Sequence, residues 1–277
     1  MKRKKVGLAL GGGAARGIAH IGVLEVLQKA NIPIDMVAGT SAGAAVGALF
    51  AQGKDTAELK KLLRAWDWKH RALSIDLALP HSGLIAGRRI KNLLRGIIGD
   101  VTFEELKLPF ACVATDVMTG EEVVISRGSV VEAVRASISV PIVFSVVRMQ
   151  GRCLVDGGLV NPVPVSVLKN MGADFIIAVN VTPAMYRLGQ AAPVPSGKPS
   201  KNNAPKEPGI FSVIARSFAI TNSQIVQNSL AGADVVIEPR MTGIGLADFS
   251  RADECILEGQ FSAIDAVLDI KRRLGLS

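Results

Sequence analysis

The sequence predicts an α/β domain built on a mainly parallel sheet, and three observations carry that prediction. Apolar runs of strand length alternate with longer segments of helical periodicity. The segment from Lys4 to Gly39 has the order strand, helix, strand, which is a βαβ unit whose strands pair in parallel through a right-handed crossover. The run Phe175–Val181 is continuously apolar, as expected of a strand covered on both faces.

In chain order, Lys4–Leu10 is the first strand, Arg16–Ala30 a helix and Ile34–Gly39 the second strand. A helix follows over Ala42–Gln52. Helical material then continues from Thr56 to about Ile98, broken by the turn residues of Pro80-His81-Ser82-Gly83, and the region 54–100 reads as a cap. Strands return at Phe110–Thr115, Glu121–Ile125, around Phe144–Val147 and at Arg152–Val155. A long helix at Ile210–Leu230 precedes a strand at Val235–Glu238, and Ala252–Arg273 is the last helix. The stretch 183–208 is rich in Pro, Ala, Ser, Asn and Lys and reads as a mobile loop. No internal repeat is present, and residues 1–277 form a single domain.

Bulk composition fits this reading. The 277 residues are 49% hydrophobic and 20% charged, a globular balance, and only 4% aromatic, so the core is aliphatic. The net charge of +8 includes Lys2, Arg3, Lys4 and Lys5, which leaves the remainder only mildly basic. The basic residues are not interleaved with stacking aromatics in a recognised module, which argues against nucleic acid. Cys112, Cys153 and Cys255 are too few and too scattered for a disulfide framework or a metal site, so a reducing, cytoplasmic setting is expected. Glycines and Arg16 interrupt the N-terminal apolar run, and no stretch reaches the length of a spanning helix.

Gly39-Thr40-Ser41-Ala42-Gly43 is a G-x-S-x-G pentapeptide between a predicted strand and a predicted helix. That context is the one in which such a serine becomes an exposed nucleophile on a strained turn, with glycines removing side chains that would clash. Gly11-Gly12-Gly13-Ala14-Ala15-Arg16-Gly17 also joins strand to helix. Its spacing fails the dinucleotide fingerprint, and no Lys followed by Ser or Thr follows its last glycine, so nucleotide binding is disfavoured. The reading that remains is an oxyanion hole formed by the N–H groups of Gly11, Gly12 and Gly13. Arg16 either braces that loop or attracts an anionic substrate.

A serine needs a base. Of the three histidines, His20 reads as helix packing or surface, and His70 and His81 lie in the cap region without a nearby acidic motif. Asp156-Gly157-Gly158 follows the apolar run Cys153-Leu154-Val155, which puts a carboxylate at a strand end; an ordinary Asp-Gly turn has the same signature. Glycine loop, serine turn and Asp-Gly-Gly could converge at one edge of a parallel sheet.

These three blocks, in this order, together with Ala136-Ser137-Ile138-Ser139-Val140-Pro141 and Asn161-Pro162-Val163-Pro164, resemble the signature blocks of the patatin-like phospholipases, in particular compact bacterial members. The resemblance spans Val6 to Pro164. It implies a three-layer α/β/α sandwich with a central, mostly parallel sheet, a catalytic dyad of Ser41 and Asp156, an oxyanion hole at Gly11 to Gly13, lipid ester substrates and no metal or organic cofactor. Phospholipase A or lysophospholipase action is the leading expectation. A soluble esterase or thioesterase, and a catalytically weak binding protein on the same scaffold, are the alternatives. Trp66 and Trp68 among Lys60, Lys61, Arg64, Lys69, Arg71, Arg88, Arg89, Lys91 and Arg95 fit either a peripheral contact with anionic lipid or the solvated face of an amphipathic cap.

Overall fold

A computed structural model describes residues 3–65, 87–141, 143–182 and 210–276. Eight strands form one sheet: β1 (Val6–Leu10), β2 (Met36–Thr40), β3 (Phe110–Asp116), β4 (Glu122–Ile125), β5 (Val147–Met149), β6 (Arg152–Asp156), β7 (Phe175–Val179) and β8 (Val235–Ile237). Their order is β5-β6-β3-β2-β1-β7-β8, with β4 also paired to β3. The strands β3, β2, β1, β7 and β8 run in parallel, as the βαβ pattern predicted.

Alternate residues of the central strands feed two separate cores, the expected consequence of a period of two in a sheet covered on both sides. Val6, Leu8 and Leu10 of β1 face one layer, made by α1 (Ala19–Lys29), α2 (Ala42–Ala51), α3 (Thr56–Ala65), α4 (Gly87–Ile98), α5 (Val130–Ser137) and α8 (Ala252–Leu274). Ala9, Ala38, Ala111 and Ala178 face the other, where small side chains let Val163, Val165 and Leu168, around α6 (Val165–Asn170), pack close to the backbone. The helix α7 (Ile210–Ser229) ends on that side, with Leu230 against the same cluster. Truncating a fully buried leucine such as Leu8 or Leu168 to alanine costs about 2–5 kcal/mol. The three-layer sandwich is therefore present.

Several elements differ from the sequence expectation. The helix expected at Arg16 begins as a 3-10 turn over Ala14–Ile18, and α1 proper starts at Ala19. Gly17 explains the delay, because an added Cβ there would lie 2.4 Å from the Ala42 Cβ, so this turn is held against α2. The helix α5 was not expected, although Ser129 and Glu132 have capping-box spacing and the Ser129 hydroxyl accepts the Glu132 N–H. The short α6 was also missed. The strand expected around Phe144 begins at Val147.

The direction of β6 is a correction. It runs antiparallel to β3 and to β5, so it reaches the carboxyl end of β2 from the opposite direction. The cause is the two-residue turn Gln150-Gly151, in which both residues have positive φ (51° and 78°), the conformation of a tight hairpin.

The described helices of the 54–100 region, α3 and α4, pack onto the domain. Leu59, Leu94 and Ile98 lie in the same core cluster as α1 and α2. The turn at Pro80–Gly83, both tryptophans, His70, His81 and the loop expected at 183–208 lie outside the described residues.

Candidate active site

The strand β2 pairs with β3 through Val37–Thr40 opposite Phe110–Val113, and β6 pairs with β3 through Leu154–Asp156 opposite Asp116–Ala114. Because β4 pairs with Cys112–Thr115 and overlaps both sets, it occupies one edge of β3, leaving β2 and β6 end to end along the other. Thr40 sits opposite Val113 and Asp156 opposite Ala114. Two strands of opposite direction thus end head to head, and the residues at their carboxyl ends are brought into contact.

At that junction Ser41 leaves β2 with φ 54° and ψ −121° and serves as the N-cap of α2. A side chain in this region carries a strain of about 1–3 kcal/mol and persists only where its surroundings enforce it. They do so here. The Ser41 N–H donates to Ser137 Oγ at 2.9 Å, and the Ser137 hydroxyl donates to the Val113 carbonyl at 2.6 Å. The Ser41 carbonyl accepts from Ala44 and Ala45. Thr40 Oγ1 donates to the Asn161 carbonyl at 2.8 Å. A Cβ on Gly39 would meet the Gly43 carbonyl oxygen at 2.5 Å, and one on Gly43 would meet the Leu10 oxygen at 2.1 Å, so both positions need glycine.

Ser41 Oγ donates to Asp156 Oδ2 at 2.6 Å. Asp156 Oδ1 accepts the Gly158 N–H at 2.8 Å, so each carboxylate oxygen has one donor. Asp156 is buried, and burial pushes its carboxyl up to about 6 against the opposing pull of the Ser41 and Gly158 hydrogen bonds. Its backbone is fixed as well: the N–H donates to the Ser139 carbonyl, and the carbonyl accepts from Thr115 Oγ1. Gly157 lies against β3, where a Cβ would come within 2.3 Å of the Val113 oxygen. Asn222 of α7 donates to the Gly158 carbonyl at 2.9 Å and tethers this turn from the opposite layer.

The glycine loop touches the same serine, since a Cβ on Gly12 would lie 3.3 Å from the Ser41 Cβ. Its amides are not used as expected. The Gly11 N–H donates to the Val179 carbonyl at 3.0 Å and the Gly12 N–H to the Pro162 carbonyl at 2.9 Å, which corrects the assignment of both as free oxyanion donors. The Gly13 and Ala14 N–H groups, and those of Ala42 and Gly43 at the start of α2, have no acceptor among the described residues. Arg16 is buried, and its Nε donates to the Ile244 carbonyl at 2.7 Å, so it ties the loop to the segment before α8. His20 is buried too. Burial lowers its pKa to about 4, so the ring is neutral near pH 7, and its Nε2 donates to the Gly11 carbonyl at 2.7 Å.

Sequence reasoning missed Ser137, Thr40, Asn161, His20 and Asn222 as supports. Ser137 and Asn161 lay within quoted blocks but without an assigned part. In the basic region, Lys60 pairs with Glu25, Lys91 with Glu132 and Arg95 with Asp100, so these cations are partly neutralised within the fold. No helix among the described residues is long and apolar enough to cross a membrane.

The family model described as patatin-like phospholipase matches residues 8–169. An uncharacterized NTE family protein of Mycobacterium bovis is 30% identical, over 95% of this chain and 91% of the relative. A lysophospholipase of Pyricularia oryzae is 29% identical over 92% of this chain, which corresponds to 18% of that much longer protein. Among solved structures, VipD from Legionella pneumophila superposes with a TM-score of 0.65 over 97% of this chain and 67% of its own, at 14% identity, a likeness of fold.

Proposed function

Since the chain belongs to the patatin-like phospholipase family, a family of lipid hydrolases, we propose that it cleaves carboxylic esters of lipids, as a phospholipase A or lysophospholipase, through a Ser41–Asp156 dyad. The observation that carries this reading is the 2.6 Å hydrogen bond from Ser41 Oγ to a buried carboxylate whose pKa is raised to about 6. A base with that pKa is largely ionised at neutral pH, yet is basic enough to take a proton during attack.

Ser41 Oγ attacks the acyl carbonyl while its proton passes to Asp156 Oδ2. The carbonyl π pair moves onto oxygen, and the resulting oxyanion is held by the free N–H groups of Gly13 and Ala14, beside the positive end of α2. Collapse breaks the ester C–O bond, and the leaving alcohol takes the proton from Asp156. A water molecule then gives a proton to Asp156 and attacks the acyl-enzyme. Its collapse frees the fatty acid and returns the proton to Ser41. Each oxyanion donor contributes about 3–4 kcal/mol when aligned with the developing charge.

The test is active-site labelling with a fluorophosphonate, followed by lipid hydrolysis with Ser41→Ala as control. Adduct on Ser41, and consumption of phospholipid or lysophospholipid by wild type alone, is the expected result. Labelling without lipid turnover, but with turnover of short-chain esters, would assign the chain to small acyl substrates. Absence of both would remove the catalytic reading.

A further inference from the structure

The last helix, α8, is apolar on two faces. One face, with Ile256, Gly259, Ala263 and Ile270, is buried; Gly259 lies so close to α1 that a Cβ would meet the Ala19 carbonyl oxygen at 2.1 Å. Nearly opposite lies a second stripe, Leu257, Phe261, Ile264 and Leu268, at 49%, 60%, 56% and 80% exposure. The spacing of four, three and four residues is that of a seam that packs against another helix. Single exposed apolar residues need no explanation, but a contiguous stripe of four on one helix does.

Charge indicates what covers it. Glu254 lies at the N-terminal end of the stripe and Arg272 at the C-terminal end, about five turns apart and so on one line along the helix. Both are exposed, and each pairs with a residue three positions away in its own chain, Glu254 with Arg251 just before the helix and Arg272 with Asp269 within it. A two-fold axis passing near Ala263 would set the stripe against its own copy in antiparallel orientation. Glu254 would then face Arg272 of the partner subunit, Leu257 would lie near the partner's Leu268 and Phe261 near the partner's Ile264. The acidic first turn, Asp253 and Glu254, would also meet the basic last turn, Lys271 to Arg273, and the two helix dipoles would oppose. A lipid surface fits less well, because Asp253, Glu258, Asp265 and Asp269 flank the stripe and repel anionic headgroups.

From this self-complementarity we propose that the chain forms a two-fold symmetric homodimer through antiparallel packing of α8 against a second copy of itself. Sedimentation velocity of the full chain between about 1 and 100 µM tests it. Wild type associates to a dimer, and Phe261→Glu, which brings two carboxylates to the centre of the seam, is monomeric throughout. Glu254→Arg and Arg272→Glu each weaken the dimer about tenfold, and the double exchange restores it to within about threefold, because the reversed charges again face each other. Unchanged circular dichroism and unchanged hydrolysis of a soluble ester confirm that the variants fold. A wild-type monomer at every concentration, a dimer indifferent to Phe261→Glu, or a double exchange no better than either single change overturns the proposal. So does a monomer that binds vesicles of zwitterionic lipid only while Phe261 is intact, an outcome that would give the stripe to a membrane.

Discussion

The hydroxyl of Ser137 accepts a hydrogen bond from the Ser41 N–H and donates one to the Val113 carbonyl. A side chain thereby completes the hydrogen-bond ladder at the point where β2 has left the sheet. Ser137→Ala leaves two buried backbone groups without partners, at about 1–3 kcal/mol in stability. The turn that carries Ser41 loses its tether, so kcat on a soluble ester falls about tenfold or more with little change in KM. Thermal denaturation and steady-state kinetics check both effects.

With Asp156 as base, only its ionised form is active. Because burial raises its pKa to about 6, kcat/KM rises tenfold per pH unit below that value and levels off above it. A profile recorded from pH 4 to 9 on an ester without ionisable groups tests this; a flat rate between pH 4 and 7 would contradict it.

The same raised pKa has the opposite sign for folding. A carboxyl whose folded pKa lies above its unfolded value favours the folded state below about pH 4, and that contribution is lost as pH rises through about 6. Asp156→Asn, which needs no ionisation, is therefore more stable than wild type at pH 8, by up to about 3 kcal/mol, and the difference closes near pH 4. Its hydrolytic rate falls by about 10⁴-fold or more. Denaturant titrations at the two pH values measure the first effect.

Ser41→Gly and Ser41→Ala both abolish the hydroxyl, but only glycine relaxes the positive φ at this position. The glycine variant is the more stable of the two by about 1 kcal/mol, whereas glycine at an unstrained position destabilises. Paired thermal melts decide it.

Gly12→Ala and Gly43→Ala separate activity from folding. At Gly12 the new methyl meets the Ser41 Cβ at 3.3 Å, which a small shift accommodates, so the protein folds and turns over more slowly. At Gly43 it would overlap the Leu10 carbonyl, and expression of soluble protein drops sharply.

Much of this architecture was legible in the sequence, for a physical reason. Glycine at 39, 43 and 157 records backbone approaches that no other residue permits, and the apolar runs record strands buried on both faces. The polar supports were not legible. Ser137, Thr40 and Asn161 are ordinary residues whose partners lie far along the chain, and only the assembled sheet brings them together. The antiparallel course of β6 is encoded in Gln150-Gly151, a weak hairpin signal that the strand pattern alone does not reveal. The glycine loop lies beside Ser41, but its amide directions depend on the carbonyls of Val179 and Pro162, which sequence spacing does not reveal.

Because β2 and β6 share one side of β3, the gap between hydroxyl and carboxylate is measured by a molecular ruler whose graduations are single residues of about 3.3 Å. Surface segments are outside that measurement. Insertions or exchanges in them can leave the Ser41–Asp156 spacing unchanged, which makes this frame a tolerant host for grafted loops.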